Sequence, residues 1–239
     1  VELARQWIGS ILFTLLFSIS AIFWSVLVTA SLPLPRRIAY RLVLIWVDGV
    51  FYLLKVLCRL DYVVSGQENI PEQNTVVLLK HSSAWETLVE MKIFPTQTWV
   101  IKRELMWAPF IGWALLALNP IAINRRAGST AVDQVITTGT NRLQAGLWVM
   151  IFPEGTRVRP GETRRYGVSG ALLAQANDRP VVPVAHNAGH YWPRRGWLKR
   201  PGTIRVVIGP PIATADRSAR DINLQAQNWI ETTIAQMPP

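Results

Sequence analysis

The sequence predicts an α/β fold: a mixed, partly parallel sheet flanked by helices and preceded by N-terminal membrane helices. Three observations lead there. From Gln6 to Pro35 no charged residue occurs. After Leu60, short β-rich runs alternate with polar or helical stretches, the pattern of strands joined by crossover helices. The chain has 239 residues, 50% hydrophobic and 17% charged, which is ample for a buried core and excludes intrinsic disorder.

The charge-free segment opens on Trp7, Ile8, Ile11, Leu12, Phe13, Leu15, Leu16 and Phe17 and is apolar all round. As a helix it would reach roughly 45 Å, more than a hydrocarbon core requires. A signal peptide ending at Val28-Thr29-Ala30 is the competing reading; the long apolar run and an n-region with only Arg5 count against it. Pro33 and Pro35 break the helix, and Arg36-Arg37 follow. Residues 38–60 are again apolar, with Arg41, Asp48, Lys55 and Arg59 spaced along one helical stripe. Such a helix lies in the membrane interface or packs back on the first. Cys58 reads as a small apolar packing residue. The division expected is 1–60, membrane-anchoring helices, and 61–239, a catalytic domain.

Beyond it, strands are expected at Thr75–Lys80, Thr98–Lys102, Pro120–Asn124, Leu147–Phe152, Val181–Ala185 and Thr203–Ile208. Helices are expected at Ser129–Leu143, Gly167–Ala176 and Asp221–Gln236.

Composition narrows the partners. A formal charge of +10, mean hydropathy of +0.20 and eleven tryptophans fit an anionic membrane surface better than nucleic acid. One cysteine excludes a disulfide framework and any multi-cysteine metal site. His186-x3-His190 has the spacing of a metal pair on a helix, but Asn187 and Gly189 favour a loop and no HExxH glutamate accompanies it, so no metal is expected. Neither G-x-G-x-x-G nor a P-loop occurs, and no nucleotide cofactor is expected.

Reactive residues collect after the expected strands. Thr75–Lys80 delivers His81, Thr98–Lys102 ends at Lys102-Arg103-Glu104, and Pro120–Asn124 ends at Arg125-Arg126. Leu147–Phe152 is followed by Pro153-Glu154-Gly155-Thr156-Arg157. Ligands of open α/β sheets bind at the carboxyl ends of strands, so an imidazole, carboxylates and several cations can converge there. That is the inventory for general-base catalysis on a phosphate-bearing substrate. Two readings of Glu86 stand side by side. It pairs with His81 if the histidine sits in the entering loop, or it completes a capping box, Ser83-x-x-Glu86, by satisfying a backbone N–H. Arg159, Arg164, Arg165, Arg194, Arg195, Lys199 and Arg200 read mainly as a solvated or headgroup-facing surface.

Five blocks occur in order: His81-x4-Glu86; Lys102-x-Glu104-Leu105-x3-Pro109-x2-Gly112; Ile123-x-Arg125; Phe152-Pro153-Glu154-Gly155-Thr156-Arg157; Val182-Pro183-Val184. Together they resemble the glycerolipid acyltransferases, specifically the bacterial 1-acyl-sn-glycerol-3-phosphate (lysophosphatidic acid) acyltransferases, over Val63 to Pro211. The family's first block carries Asp where this chain has Glu86, making it an HX4E variant.

The resemblance implies that His81 takes the proton from the sn-2 hydroxyl of lysophosphatidic acid while Glu86 orients and stabilises the imidazolium. The oxygen then attacks an acyl thioester directly, giving phosphatidic acid in phospholipid biosynthesis. Gly167-Val168-Ser169-Gly170-Ala171 fails the nucleophile-elbow pattern, which agrees with a route lacking an acyl-enzyme. By the same resemblance Lys102, Arg125, Glu154, Gly155, Thr156 and Arg157 hold the acceptor's phosphate, and Val182-Pro183 shapes the acyl-donor side. The co-substrate is acyl-CoA or acyl carrier protein, the expected partners are these and the phospholipid bilayer, and no nucleic acid is expected. The expected site is the bacterial inner membrane with the catalytic domain on its cytoplasmic face. A different lysolipid acceptor and a non-catalytic basic membrane protein are the alternatives.

Overall fold

The computed structural model describes residues 2–238. Two helices, α1 (Glu2–Ala30) and α2 (Arg36–Cys58), form an antiparallel hairpin broken where the prolines predict. Gly9 lets the backbones meet, since a Cβ there would stand 2.1 Å from the Leu57 carbonyl oxygen. Further along, Phe17 stacks on Trp46, whose Nε1–H donates to Ser20 Oγ at 3.1 Å. In α2 the buried face is Ala39, Val43, Val47, Val50, Leu54 and Cys58, so Cys58 packs as expected. The Arg41, Asp48, Lys55, Arg59 stripe lies opposite, about half a turn round. Of these, Asp48 reaches Lys92, Lys55 reaches Asp61 and Arg59 reaches Glu2 across exposed ion pairs. Gly9→Leu is expected to prise the hairpin apart and cost about 1–3 kcal/mol, because a backbone carbonyl cannot move aside. Thermal unfolding checks it; an unchanged midpoint would show the contact is not held.

The sheet has seven strands: β1 (Leu60–Ser65), β2 (Val76–Leu79), β3 (Gln97–Lys102), β4 (Ile121–Ile123), β5 (Trp148–Ile151), β6 (Val181–His186) and β7 (Gly202–Ile208). Their order is β1-β7-β6-β2-β5-β3-β4, and only the β6/β7 pair is antiparallel. The connections carry α3 (Glu86–Ile93), α4 (Ile111–Leu116), α5 (Ser129–Gln144), α6 (Ser169–Gln175) and α7 (Ala188–Tyr191), and α8 (Ala219–Gln236) closes the chain. The mixed sheet and every predicted strand are present, with no end moved by more than one residue. Four elements were not predicted: β1, α3, α4 and the short α7, where Asn187 and Gly189 had favoured a loop.

Both sheet faces are covered, which is why the central strands read as unbroken apolar runs. Val77, Leu79, Met150, Val182 and Val184 point into one cluster with α2 residues Val43, Val47, Val50 and Leu54. Val76, Leu78, Val149, Ile151 and Val181 point into the other, with Val135 of α5, Leu173 of α6 and Ile222, Ala226 and Ile230 of α8. The helical hairpin therefore shares a core with the sheet. Its first helix is docked too: Phe13 packs edge-on against Trp192, and Lys199 N–H donates to Ser10 Oγ at 2.9 Å.

α1 is long and apolar enough to cross a membrane, yet much of its apolar surface stays exposed, Ile8, Ile19 and Phe23 among it. Leu105, Trp107, Phe110, Ile111, Trp113 and Leu116, around α4, add a second exposed apolar group.

Candidate active site

Register explains why distant motifs meet. β2 pairs with β5 so that Leu78 lies beside Ile151. Three residues on, at the carboxyl edge, are His81 and Glu154. β5 pairs in turn with β3, and β3 with β4, setting Lys102 beside Ile123 and bringing Arg125 to the same edge. Each strand here is parallel, so all of these residues leave the sheet on one side.

His81 leaves β2 in the loop before α3. Its Nδ1 lies 2.8 Å from Glu86 Oε1, and its ring stacks on Phe152 with centroids 4.1 Å apart. Glu86 is fully buried at the start of α3. The same Oε1 accepts the Ser82 and Ser83 N–H groups at 3.0 and 2.9 Å, while Ser83 Oγ accepts from Trp85 N–H. Pairing with the histidine and tying down the turn are thus one arrangement, not alternatives.

Burial alone would raise the Glu86 carboxyl; the hydrogen bond to His81, the nearby His186 ring and the Ser83 N–H outweigh it and hold the pKa below the ordinary value. One helical turn on, burial drives Glu90 well above the ordinary carboxylate value against the opposing Trp99 Nε1–H hydrogen bond. The two carboxyls are pushed apart, so Glu86 carries the charge and Glu90 stays neutral. With Glu86 accepting from Nδ1–H, His81 presents Nε2 as the basic nitrogen. Among the described residues no hydrogen bond occupies Nε2.

The Phe152–Arg157 turn is set by Gly155, whose φ of +67° suits glycine. Arg125 Nη1 donates to the Gly155 carbonyl, and Val158 N–H donates to the His81 carbonyl at 2.7 Å. The turn is therefore fastened both to the strand bearing Arg125 and to the base. Lys102, half-exposed, stands 3.7 Å from Glu104. Thr156 and Arg157 are half-buried beyond the glycine. Lys102, Arg125, Gly155, Thr156 and Arg157 all lie at or just past the carboxyl edge.

Two assigned residues take different places. Glu154 lines no anion site: its side chain is fully buried, and Oε1 accepts the His81 N–H at 3.4 Å with Lys80 Nζ 3.5 Å away. It positions the base instead. Pro183 sits inside β6 opposite Leu78, three residues short of His186, where its carbonyl accepts from Gly209 N–H. The β6/β7 register shifts by one residue between Val181↔Ile212 and Val184↔Ile208, so the missing proline N–H falls at a bulge.

Sequence reasoning missed what stands behind Glu154. Lys80 is buried and reaches Glu231 Oε1 of α8 at 2.7 Å and the Glu162 carbonyl at 3.2 Å. Tyr166 Oη donates to the same Glu231 oxygen at 3.0 Å. A lysine ending an otherwise apolar strand was the one available signal; nothing local marks Glu231. His186 and His190 do not form a pair. His186 Nε2–H donates to the Lys80 carbonyl and Nδ1 accepts from Ala188 N–H, so both its nitrogens are engaged, and His190 lies in α7.

Burial raises the Glu154 carboxyl to about 7, with Lys80 opposing. Its protonated form therefore adds stability that is complete below the ordinary value of 4.5 and is lost as pH rises through 7. Glu154→Gln fixes the neutral state. Denaturant midpoints of wild type should fall relative to this variant between pH 5 and pH 8; parallel curves would contradict the buried carboxyl.

A family model described as "Acyltransferase" matches residues 61–187, over half the chain. The chain belongs to the acyltransferase family. A relative from Pseudomonas aeruginosa named 1-acyl-sn-glycerol-3-phosphate acyltransferase is 43% identical to this acyltransferase, covering 98% of the chain and 93% of the relative. A Saccharomyces cerevisiae protein of the same name is 30% identical over 69% of the chain and 55% of its own length. The fold matches the crystal structure of the 1-acyl-sn-glycerophosphate acyltransferase PlsC from Thermotoga maritima, with TM-score 0.79 at 23% identity over 99% of this chain and 97% of that one. The family-model match begins at Asp61, within β1, and ends just past β6, so it contains every residue described at the carboxyl edge.

Proposed function

We propose that this acyltransferase moves a fatty acyl group from an acyl thioester, acyl-CoA or acyl carrier protein, to the sn-2 hydroxyl of lysophosphatidate, giving phosphatidate. The observation that carries it is the His81–Glu86 pair, open at Nε2, with the cations Lys102 and Arg125 on neighbouring strands. The Pseudomonas relative supports the choice of acceptor.

In this reading Lys102 and the free edge of the Arg125 guanidinium hold the acceptor's phosphate. His81 Nε2 removes the hydroxyl proton as the oxygen attacks the thioester carbonyl carbon, and Glu86 stabilises the imidazolium. Collapse of the tetrahedral adduct breaks the C–S bond, and the same proton passes from Nε2 to the leaving thiolate. No cofactor enters. The exposed faces of α1 and of the α4 region rest on the bilayer, from the cytoplasmic side of a bacterial inner membrane, where the lipid acceptor lies.

A phosphomonoester carries about twice the charge of the phosphodiester in other lysolipids. Lysophosphatidate should therefore outcompete lysophosphatidylglycerol and lysophosphatidylethanolamine in a mixed-acceptor assay. Arg125→Ala should raise the KM for lysophosphatidate about tenfold or more and narrow that preference. Equal use of all three acceptors by the wild type would overturn the choice of lysophosphatidate.

A further inference from the structure

The arginines that the sequence scatters over forty-odd positions from the Gly155 turn onward come together in the fold. Arg157, Arg159, Arg194, Arg195 and Arg200 line one cavity of about 500 Å³, with Glu162 as its only acidic lining residue. None of the five forms an ion pair among the described residues. Arg194 Nη1 donates to the Arg157 carbonyl at 2.8 Å, which ties the two walls together, and Arg157 Nε is buried without a partner. Five guanidinium groups facing one carboxylate around a concave space repel one another until an anion enters. A face built only to meet lipid headgroups has no need of such a cavity.

Its place in the fold matters as much. The walls are the segment after the Phe152–Arg157 turn and the segment that follows α7, on the β6 side of β2. On the other side Lys102 ends β3 and Arg125 follows β4, where Arg125 meets the Gly155 end of the turn. Arg157, which the resemblance assigned to the acceptor's phosphate, lines the cavity instead. His81 lies between the two cationic groups, joined to the cavity wall by the Val158 N–H bond to its carbonyl. Two substrates must meet at that imidazole, and the apolar α4 surface adjoins the Lys102 end through the turn at Arg103–Trp107.

We propose that the arginine cavity binds the phosphorylated nucleotide head of a coenzyme A thioester. The inference rests on the acyl-transfer reading and names its donor. A 3′-phosphomonoester and a pyrophosphate together bring about four negative charges near neutral pH, matching the excess of the lining. A carrier protein's prosthetic arm brings one phosphodiester charge, and its protein surface needs a flat or convex face. The volume suits a small molecule.

Adenosine 3′,5′-bisphosphate is the probe, titrated calorimetrically into the full-length protein in detergent. This readout needs no turnover, so a wrong acceptor under the proposed function would leave it intact. Saturable binding is expected, weakened about tenfold or more by Arg159→Ala/Arg195→Ala and unchanged by Lys102→Ala, whose side chain reaches only Glu104. Neither of the two substituted side chains makes a hydrogen bond or ion pair in the described residues, so folding is not at stake. In kinetics the bisphosphate should compete with acyl-CoA and not with lysophosphatidate, and the double variant should raise the KM for acyl-CoA alone. The proposal is overturned by any of four results: no saturable binding; competition with lysophosphatidate; a double variant that loses only affinity for anionic vesicles; or turnover with acylated carrier protein that the bisphosphate leaves untouched.

Discussion

His81→Ala is expected to lower turnover by about 10²–10⁴-fold or more, the range that general-base catalysis contributes, while the thermal midpoint moves by only a few degrees. The imidazole side chain keeps 13% of its surface open to solvent and stacks on Phe152, so its loss leaves a hollow at the mouth of the site and not in the core. Glu86→Gln separates the two duties of that carboxylate. The amide oxygen can still accept from Ser82 and Ser83 N–H, keeping the turn, but it no longer balances an imidazolium. Turnover should drop by about 10²-fold or more with the fold preserved. Full activity in that variant would remove Glu86 from the chemistry and leave it a turn-former.

The second large effect lies behind the site. Lys80→Met should cost about 3–5 kcal/mol, the range for breaking a buried pair on one side only. It leaves Glu231 and Glu154 facing each other without the cation that stands 2.7 and 3.5 Å from them. Removing the stranded charge as well, in Lys80→Met/Glu231→Gln, should recover much of the loss. Denaturant unfolding of both variants measures it. Because Glu154 Oε1 meets the His81 N–H, activity of the single variant should fall together with stability. A single variant as stable as wild type, or a double variant no better than the single, would show that the network is not coupled.

The sheet was legible because its strands are buried on both faces and so read as short apolar runs between turn residues. β1 escaped that signal: it is an edge strand whose outer positions, Asp61 and Val63 among them, face solvent in an irregular pattern. α3 escaped for the opposite reason. Its buried face contains Glu86 and Glu90, so no apolar periodicity marked it, and the Ser83-x-x-Glu86 capping pattern was its one signal. α8 shows the ordinary case, beginning two residues before the predicted Asp221 because Ser218 is its cap and Asp221 the third residue of its first turn.

At the site, the ordered motifs located His81, Glu86, Lys102, Arg125 and Arg157, since each follows a readable strand. The role of Glu154 was not legible. It depends on Lys80, Glu231 and Tyr166, brought together from three distant segments. Convergence of the late arginines on one cavity was equally invisible, because spacing along a loop says nothing of how that loop folds back.

Direct transfer, with the acceptor hydroxyl activated by His81, is the central claim. It is tested by incubating the purified full-length protein with acyl-CoA, first alone and then with lysophosphatidate, while following free thiol, phosphatidate and intact protein mass. The account predicts no thiol release and no acylated protein until lysophosphatidate is added, then one thiol for each phosphatidate formed. A burst of thiol without acceptor, or an acyl adduct on the protein, would contradict it.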